Sequence, residues 1–225
     1  MKTAVVTGAS SGIGAAIVTR LLADGWGVTG ISRTEPATQP AGYRHRSLDL
    51  ATAGPGAIRS AVAGLRPTAL IHAAGIMRGG LLGSLDPEAG AAMWRLHVEA
   101  AALLADAIVP GMDAGGRVVL IGSRVAGGAA NRGQYAATKA ALIGMVRSWA
   151  IELAPKGITA NIVAPGATET PMLLDPKRAQ VPPRMPPIGR FIQPHEVAAT
   201  VAFLLSDDAG VITGQQIVMC GGASL

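Results

Sequence analysis

Apolar residues fall along this chain in two alternating rhythms. Short unbroken runs occur at Thr3–Val6, Gly27–Ile31, Tyr43–Leu48, Ala69–His72, Arg117–Ile121, Thr159–Val163 and Gln216–Met219, the pattern of strands buried on both faces of a parallel sheet. Between most of them, apolar positions recur at steps of three and four: in Gly12–Asp24, in an alanine-rich piece around Ala57–Leu65, and in Pro87–Val109, Gln134–Leu153 and Pro194–Leu205. These segments are expected to be helices. Strand and helix in alternation predict an α/β fold, a doubly wound and mostly parallel sheet of about seven strands with helices on both faces. One connection breaks the rhythm. Between Ile31 and Tyr43 the chain is too short for a full crossover helix, so an irregular link is expected there.

At 225 residues the chain suits a single domain spanning 1–225, since α/β domains of this size commonly stand alone. There is no repeat or low-complexity tract; the nearest approach is Pro171 to Pro187, rich in proline and interrupted by Lys177 and Arg178. Cys220 is the one cysteine, so no internal disulfide forms. Met1-Lys2 leads straight into a strand rather than a signal peptide, and the expected location is cytoplasmic. The most apolar helix, Ala100 to Val109, is interrupted by Asp106 and ends at Pro110-Gly111, far short of the ~20 residues of a membrane span. Net charge is +5 with a pI near 10.0. Scattered Lys and Arg and an aromatic content of 3% argue against a nucleic-acid surface. Steering of an anionic cofactor accounts for the charge more simply.

Two motifs carry chemistry. Thr7-Gly8-Ala9-Ser10-Ser11-Gly12-Ile13-Gly14 joins the first strand to the first helix. Gly8 allows a tight turn, Gly12 lets backbone N–H groups approach a pyrophosphate, and Gly14 lets the helix pack closely. The helix N-terminus then presents unpaired donors and its positive dipole end to the phosphates. Far downstream stands Tyr135-Ala136-Ala137-Thr138-Lys139. Four-residue spacing on a helix sets a phenol beside an ammonium, and a fixed cation favours the phenolate of a group that otherwise titrates near ~10.

Together these motifs resemble the short-chain dehydrogenase/reductase family over almost the whole chain. Further matches occur in order: His72-Ala73-Ala74-Gly75 where the family has Asn-Asn-Ala-Gly, Gly122-Ser123 ahead of the tyrosine, Asn161-Ile162-Val163-Ala164-Pro165-Gly166 with Thr170 beyond, and Gly221-Gly222. The resemblance implies that Tyr135 exchanges the proton, Lys139 tunes it and binds the nicotinamide ribose, and Ser123 steadies the substrate oxygen. It further implies a cofactor laid along Gly8, Ser10, Ser11, Gly12, Ile13 and Gly14, then Ala73, Ala74 and Gly75, then Pro165, Gly166 and Thr168. Asp49, with Leu50 beside it, resembles the adenine contact, and Thr170 resembles the residue that binds the carboxamide. Asp49 reads equally as a cap ahead of Ala51–Gly56.

Cofactor choice depends on the residues just past the second strand, where an acid suits NAD and a basic residue suits the 2′-phosphate of NADP. Ser32-Arg33-Thr34 supplies a guanidinium fork and two hydroxyls, so NADP(H) is preferred and NAD(H) remains possible; Glu35 nearby is the counter-argument. A notable departure from the family is His97, where an Asn often completes a water relay to the lysine. An imidazole also donates and accepts, so His97 is a candidate for that relay or a satisfied core histidine. The spacing from Ser123 to Tyr135 is a residue tighter than the family's, and the expected substrate walls are Ile76–Leu82, Val125–Gly128, Gln134, Ala167–Thr168 and a lid from Met172 to Met185. Arg78 and Arg124 are candidate carboxylate holders. The expected partner is a small carbonyl or alcohol substrate. Rival readings are an NAD-dependent dihydrodiol dehydrogenase and an inactive dinucleotide sensor. The resemblance also implies a homo-oligomer, a dimer or tetramer, joined through Ala140–Trp149 and through Phe203-Leu204-Leu205 with Val218-Met219.

Overall fold

The computed structural model describes residues 1–36, 39–175 and 183–225. Seven parallel strands, β1 (Thr3–Thr7), β2 (Gly27–Ser32), β3 (Tyr43–Ser47), β4 (Ala69–His72), β5 (Arg117–Ile121), β6 (Thr159–Pro165) and β7 (Gln216–Met219), form one sheet in the order β3-β2-β1-β4-β5-β6-β7. Adjacent residues on a strand face opposite sides, and the packing obeys that alternation. Val6, Ile71, Val119 and Val163 meet α1 (Gly12–Ala23) and α6 (Pro194–Leu204) on one face. Val5 and Leu70 meet α2 (Pro55–Val62) and α4 (Ala100–Ile108) on the other, where Val118, Leu120 and Ile162 meet α5 (Gly133–Leu153). Both faces are covered, which is why the strands read as continuous apolar runs.

The expected elements are present with shifts of one or two residues at most ends, and the link from β2 to β3 carries no helix among its described residues. One segment differs. The single helix expected over Pro87–Val109 is α3 (Pro87–Trp94), a π-helical turn (Arg95–Glu99), then α4. The wide turn sets the Ala100 N–H on the Arg95 carbonyl, and it carries Leu96 and His97 into the interior. Such insertions gather at functional sites. No helix among the described residues is long and apolar enough to cross a membrane. The segment 176–182, which includes Lys177 and Arg178 and part of the expected lid, lies outside the described residues.

Candidate active site

All seven strands run the same way, so the loops after β1, β4, β5 and β6 gather at one edge, beside the switch in strand order between β1 and β4. There they enclose a cleft of about 460 Å³.

Its floor depends on missing side chains. Gly8 sits at φ +66°, and a Cβ there would stand 2.9 Å from the Ala74 backbone. At Gly14 a Cβ would lie 2.1 Å from the Gly8 carbonyl oxygen, so the loop folds flat only because both are glycine. The first α1 amide bonded back into the helix is Ala15, to Ser11 at 3.2 Å, which leaves the amides of Gly12, Ile13 and Gly14 at the open end. Ser11 makes no side-chain cap and the first turn holds no acid, so the helix's own first turn leaves its positive end uncompensated. A cradle without Cβ atoms facing uncapped N–H groups fits a dinucleotide pyrophosphate.

The β4 edge is organised by buried polar groups. Thr7 Oγ1 accepts the amides of Ala73 and Ala74 at 3.1 Å each and so donates its own hydrogen to His72 Nδ1 at 3.0 Å. His72 Nε2 then donates to the Leu96 carbonyl at 3.0 Å, tying the strand to the π turn. Burial, and secondarily the charge of Lys139, lowers the His72 pKa to about 4. The ring is a neutral spacer in a fixed tautomer.

His97 is arranged in the same manner, at 0% exposure. Its Nε2 accepts the Ile76 N–H at 3.1 Å, which leaves the proton on Nδ1 to donate to Thr138 Oγ1 at 2.9 Å. Thr138 passes its hydrogen to the Tyr135 carbonyl at 2.8 Å. The His97 ring meets the Tyr135 ring edge-on, centroids 5.7 Å apart. Burial, then the charges of Lys139 and His72, holds the His97 pKa well below the usual imidazole value.

Ser123, Tyr135, Lys139 and His97 all line the cleft. Ser123 Oγ accepts the Val125 N–H at 3.2 Å, capping a short 3₁₀ turn (Arg124–Gly127), so its hydroxyl hydrogen stays available to a ligand. Lys139 lies on the same helical face as Tyr135, its Nζ 5.9 Å from the ring centroid. Nζ donates to the Ile121 carbonyl at 2.9 Å. Burial lowers its pKa to about 7.

Of the expected cofactor residues, Gly8, Ser11, Gly12, Ile13 and Gly14 line the cleft, as do Ala73, Ala74 and Gly75, and Pro165, Gly166, Thr168 and Thr170. Thr170 packs against the cradle, its Cγ2 3.2 Å from where a Gly12 Cβ would stand. Ser10, Ser32, Arg33, Thr34, Asp49 and Leu50 are not among the lining residues. Ser32 spends its hydroxyl hydrogen on the Thr34 carbonyl at 2.9 Å, and Arg33 and Thr34 are exposed at the end of β2. Glu35 is exposed and pairs with the Gln39 side chain. Asp49 Oδ1 caps the Ala51 amide at 3.0 Å, and Leu50 packs in the core. The expected walls are corrected in part. Arg78–Leu82, Ala126–Gly128 and Gln134 do not line the cleft, because Arg78 pairs with Asp175 and the Gln134 amide turns to the Asp86 carbonyl. Thr7 and Thr138 were missed at the sequence level, since nothing local distinguishes an organising hydroxyl from an ordinary one.

The sequence profile of the family described as Enoyl-(Acyl carrier protein) reductase matches residues 8–224. The chain is 38% identical to the 3-oxoacyl-(acyl-carrier-protein) reductase FabG of Escherichia coli K12, over 98% of this chain and 96% of that protein. It is 33% identical to the short-chain reductase protein NovJ of Streptomyces niveus, over 97% and 92%. Among solved structures, a short-chain dehydrogenase from Burkholderia cenocepacia J2315 in complex with NADP superposes with a TM-score of 0.85 at 34% identity, covering 100% of this chain and 98% of that one. Because profile, relative and fold agree from end to end, this chain belongs to the short-chain dehydrogenase/reductase family of nicotinamide-dependent oxidoreductases.

Proposed function

We propose that the protein is an NADP(H)-dependent reductase, or the reverse alcohol dehydrogenase, acting on a small ketone, aldehyde or oxoacyl compound. The observation that carries this reading is the convergence of Ser123, Tyr135 and Lys139 on one cleft floored by the glycine cradle. The cofactor, when bound, supplies or accepts the hydride. Ser123 donates its free hydroxyl hydrogen to the carbonyl oxygen, where negative charge develops. Tyr135 delivers the proton to that oxygen, or takes it from the alcohol in the reverse direction. Lys139, buried and hydrogen-bonded to the Ile121 carbonyl, favours a new negative or polar neighbour, and so stabilises the phenolate and binds a ribose hydroxyl. His97 acts as a holding residue rather than a proton carrier: one ring nitrogen is taken by an amide and the other by Thr138, and together they link the Gly75-Ile76 loop to the helix of Tyr135.

NADP(H) is supported by Arg33, exposed at the end of β2 while Glu35 is engaged elsewhere, and by the NADP complex of the Burkholderia relative. Arg33 and Thr34, both exposed, would hold the 2′-phosphate, with Asp49 toward the adenine; Ser32, buried with its hydrogen on the Thr34 carbonyl, would hold the turn that presents them. FabG relatives, named as 3-oxoacyl-(acyl-carrier-protein) reductases, favour an oxoacyl-type substrate.

The test is NADPH oxidation against a carbonyl panel, with NADH in parallel. Tyr135→Phe is expected to lower kcat by about 10²–10⁴-fold while NADPH still binds. Equal rates with NADH would favour the dihydrodiol dehydrogenase reading, and a rate unaffected by Tyr135→Phe would remove the mechanism.

A further inference from the structure

The described lining of the cleft is positive. Among the described residues that line it there is no aspartate or glutamate, whereas Arg124, Arg132 and Arg184 are all present. The two arginines that the sequence offers for anion recognition have different fates. Arg78 donates to Asp175 at 3.1 Å and to the Met77 carbonyl at 2.8 Å, so its charge is matched within the protein. Arg124 is half-buried and, among the described residues, has neither hydrogen bond nor ion pair.

Its place in the backbone gives this meaning. Arg124 opens the 3₁₀ turn that Ser123 caps, so the arginine and the hydroxyl come from consecutive residues, and both residues line the one cleft. The glycine cradle lies beyond β4, after β1, which separates Arg124 from the pyrophosphate end. The same cleft is lined by the apolar residues Ile76, Met77, Val125, Met172 and Leu173. A partly desolvated guanidinium without a partner is unfavourable, and a carboxylate or phosphate answers it with a bidentate fit.

We propose that Arg124 binds an anionic group on the substrate, so that the preferred substrates are carbonyl compounds joining a short hydrocarbon body to a carboxylate or a phosphate ester. This rests on the reading that Ser123 and Tyr135 hold the reacting oxygen.

Two matched probe pairs test it: 3-oxohexanoate against its ethyl ester, and dihydroxyacetone phosphate against dihydroxyacetone. NADPH oxidation is monitored for the full chain, for Arg124→Leu and for Arg124→Lys. In Arg124→Leu the ratio of kcat/KM for the anionic over the neutral member is expected to fall about 10- to 100-fold, mainly through KM, with partial recovery in Arg124→Lys. The pair that responds tells carboxylate from phosphate. An unchanged ratio in both pairs, or a wild type that turns over the neutral members as well as the anionic ones, overturns the proposal. Fluorescence of bound NADPH checks that each variant is folded; if Arg124→Leu fails that check, loss of the ratio in Arg124→Lys, which keeps the charge but not the fork, decides. A wild type that reduces other carbonyls of the panel with NADPH but none of the four probes overturns this proposal and leaves the reductase reading standing; one that binds NADPH and reduces no carbonyl of the panel counts against that reading.

Discussion

Lys139 shows how a single side chain carries two opposed demands. In the unfolded chain its amine holds a proton up to ~10.4, whereas burial in the folded protein brings that value to about 7. Between these limits the unfolded state binds more protons, so this group makes stability rise with pH across the window, and below about 7 its full penalty applies. Without cofactor, Lys139→Met is therefore expected to be more stable than wild type at neutral pH in urea unfolding. That lead should shrink by up to about 1.4 kcal/mol per pH unit as pH rises toward 10; a lead that stays constant would show that the ammonium is not desolvated. His97 makes a complementary case. His97→Ala removes the acceptor of the Ile76 amide, which should cost about 1–3 kcal/mol of stability, and lower kcat more than NADPH affinity. His97→Asn keeps a donor and an acceptor and should recover part of both. The pH profile of kcat discriminates: it keeps its shape if His97 only holds, and loses a limb if His97 carries a proton.

The loops and helices around the site differ in how local their causes are. The glycine cradle was legible because each glycine answers a steric demand met within a few residues. Gly14→Ala should abolish detectable NADPH binding in a fluorescence titration, since its Cβ would lie 2.1 Å from the Gly8 carbonyl; a variant that binds normally would mean the loop tolerates a different path. The π turn was not legible. Its segment keeps an unbroken helical rhythm through Arg95-Leu96-His97-Val98-Glu99, and it widens where the Leu96 carbonyl meets His72 and the His97 ring meets Ile76 and Thr138. Those partners lie on β4, on the loop after it and on α5, more than twenty residues away in either direction. Spacing within a helix holds no trace of them.

The sheet has two edges of different character. The β3 edge carries Arg44, His45 and Arg46, charged or titratable groups that discourage strand pairing. The β7 edge shows Val218 at 46% exposure, and Phe203 on the neighbouring α6 is also 46% exposed. Leu204 and Leu205, expected at a contact, are core residues. We propose that association runs through the β7 and α6 side, with Ile151 of α5, 77% exposed, on a second surface. Sedimentation of the wild type should give a dimer or tetramer, and Val218→Lys should weaken assembly by about tenfold or more; a wild-type monomer would contradict this.

Buried strands, amphipathic helices, the flat glycine turn and the Tyr135–Lys139 pair all arise from short-range rules, because backbone sterics and side-chain periodicity act over a few residues. From them came the α/β fold and the identity of the central side chains. Contacts between distant segments settled the rest: that His72 and His97 are neutral fixed tautomers, that Lys139 is stripped of water, that Arg78 is matched while Arg124 faces the cleft, and which apolar residues are core and which surface. Charge state and pairing depend on what the fold brings within a few ångströms, and no local pattern encodes that proximity.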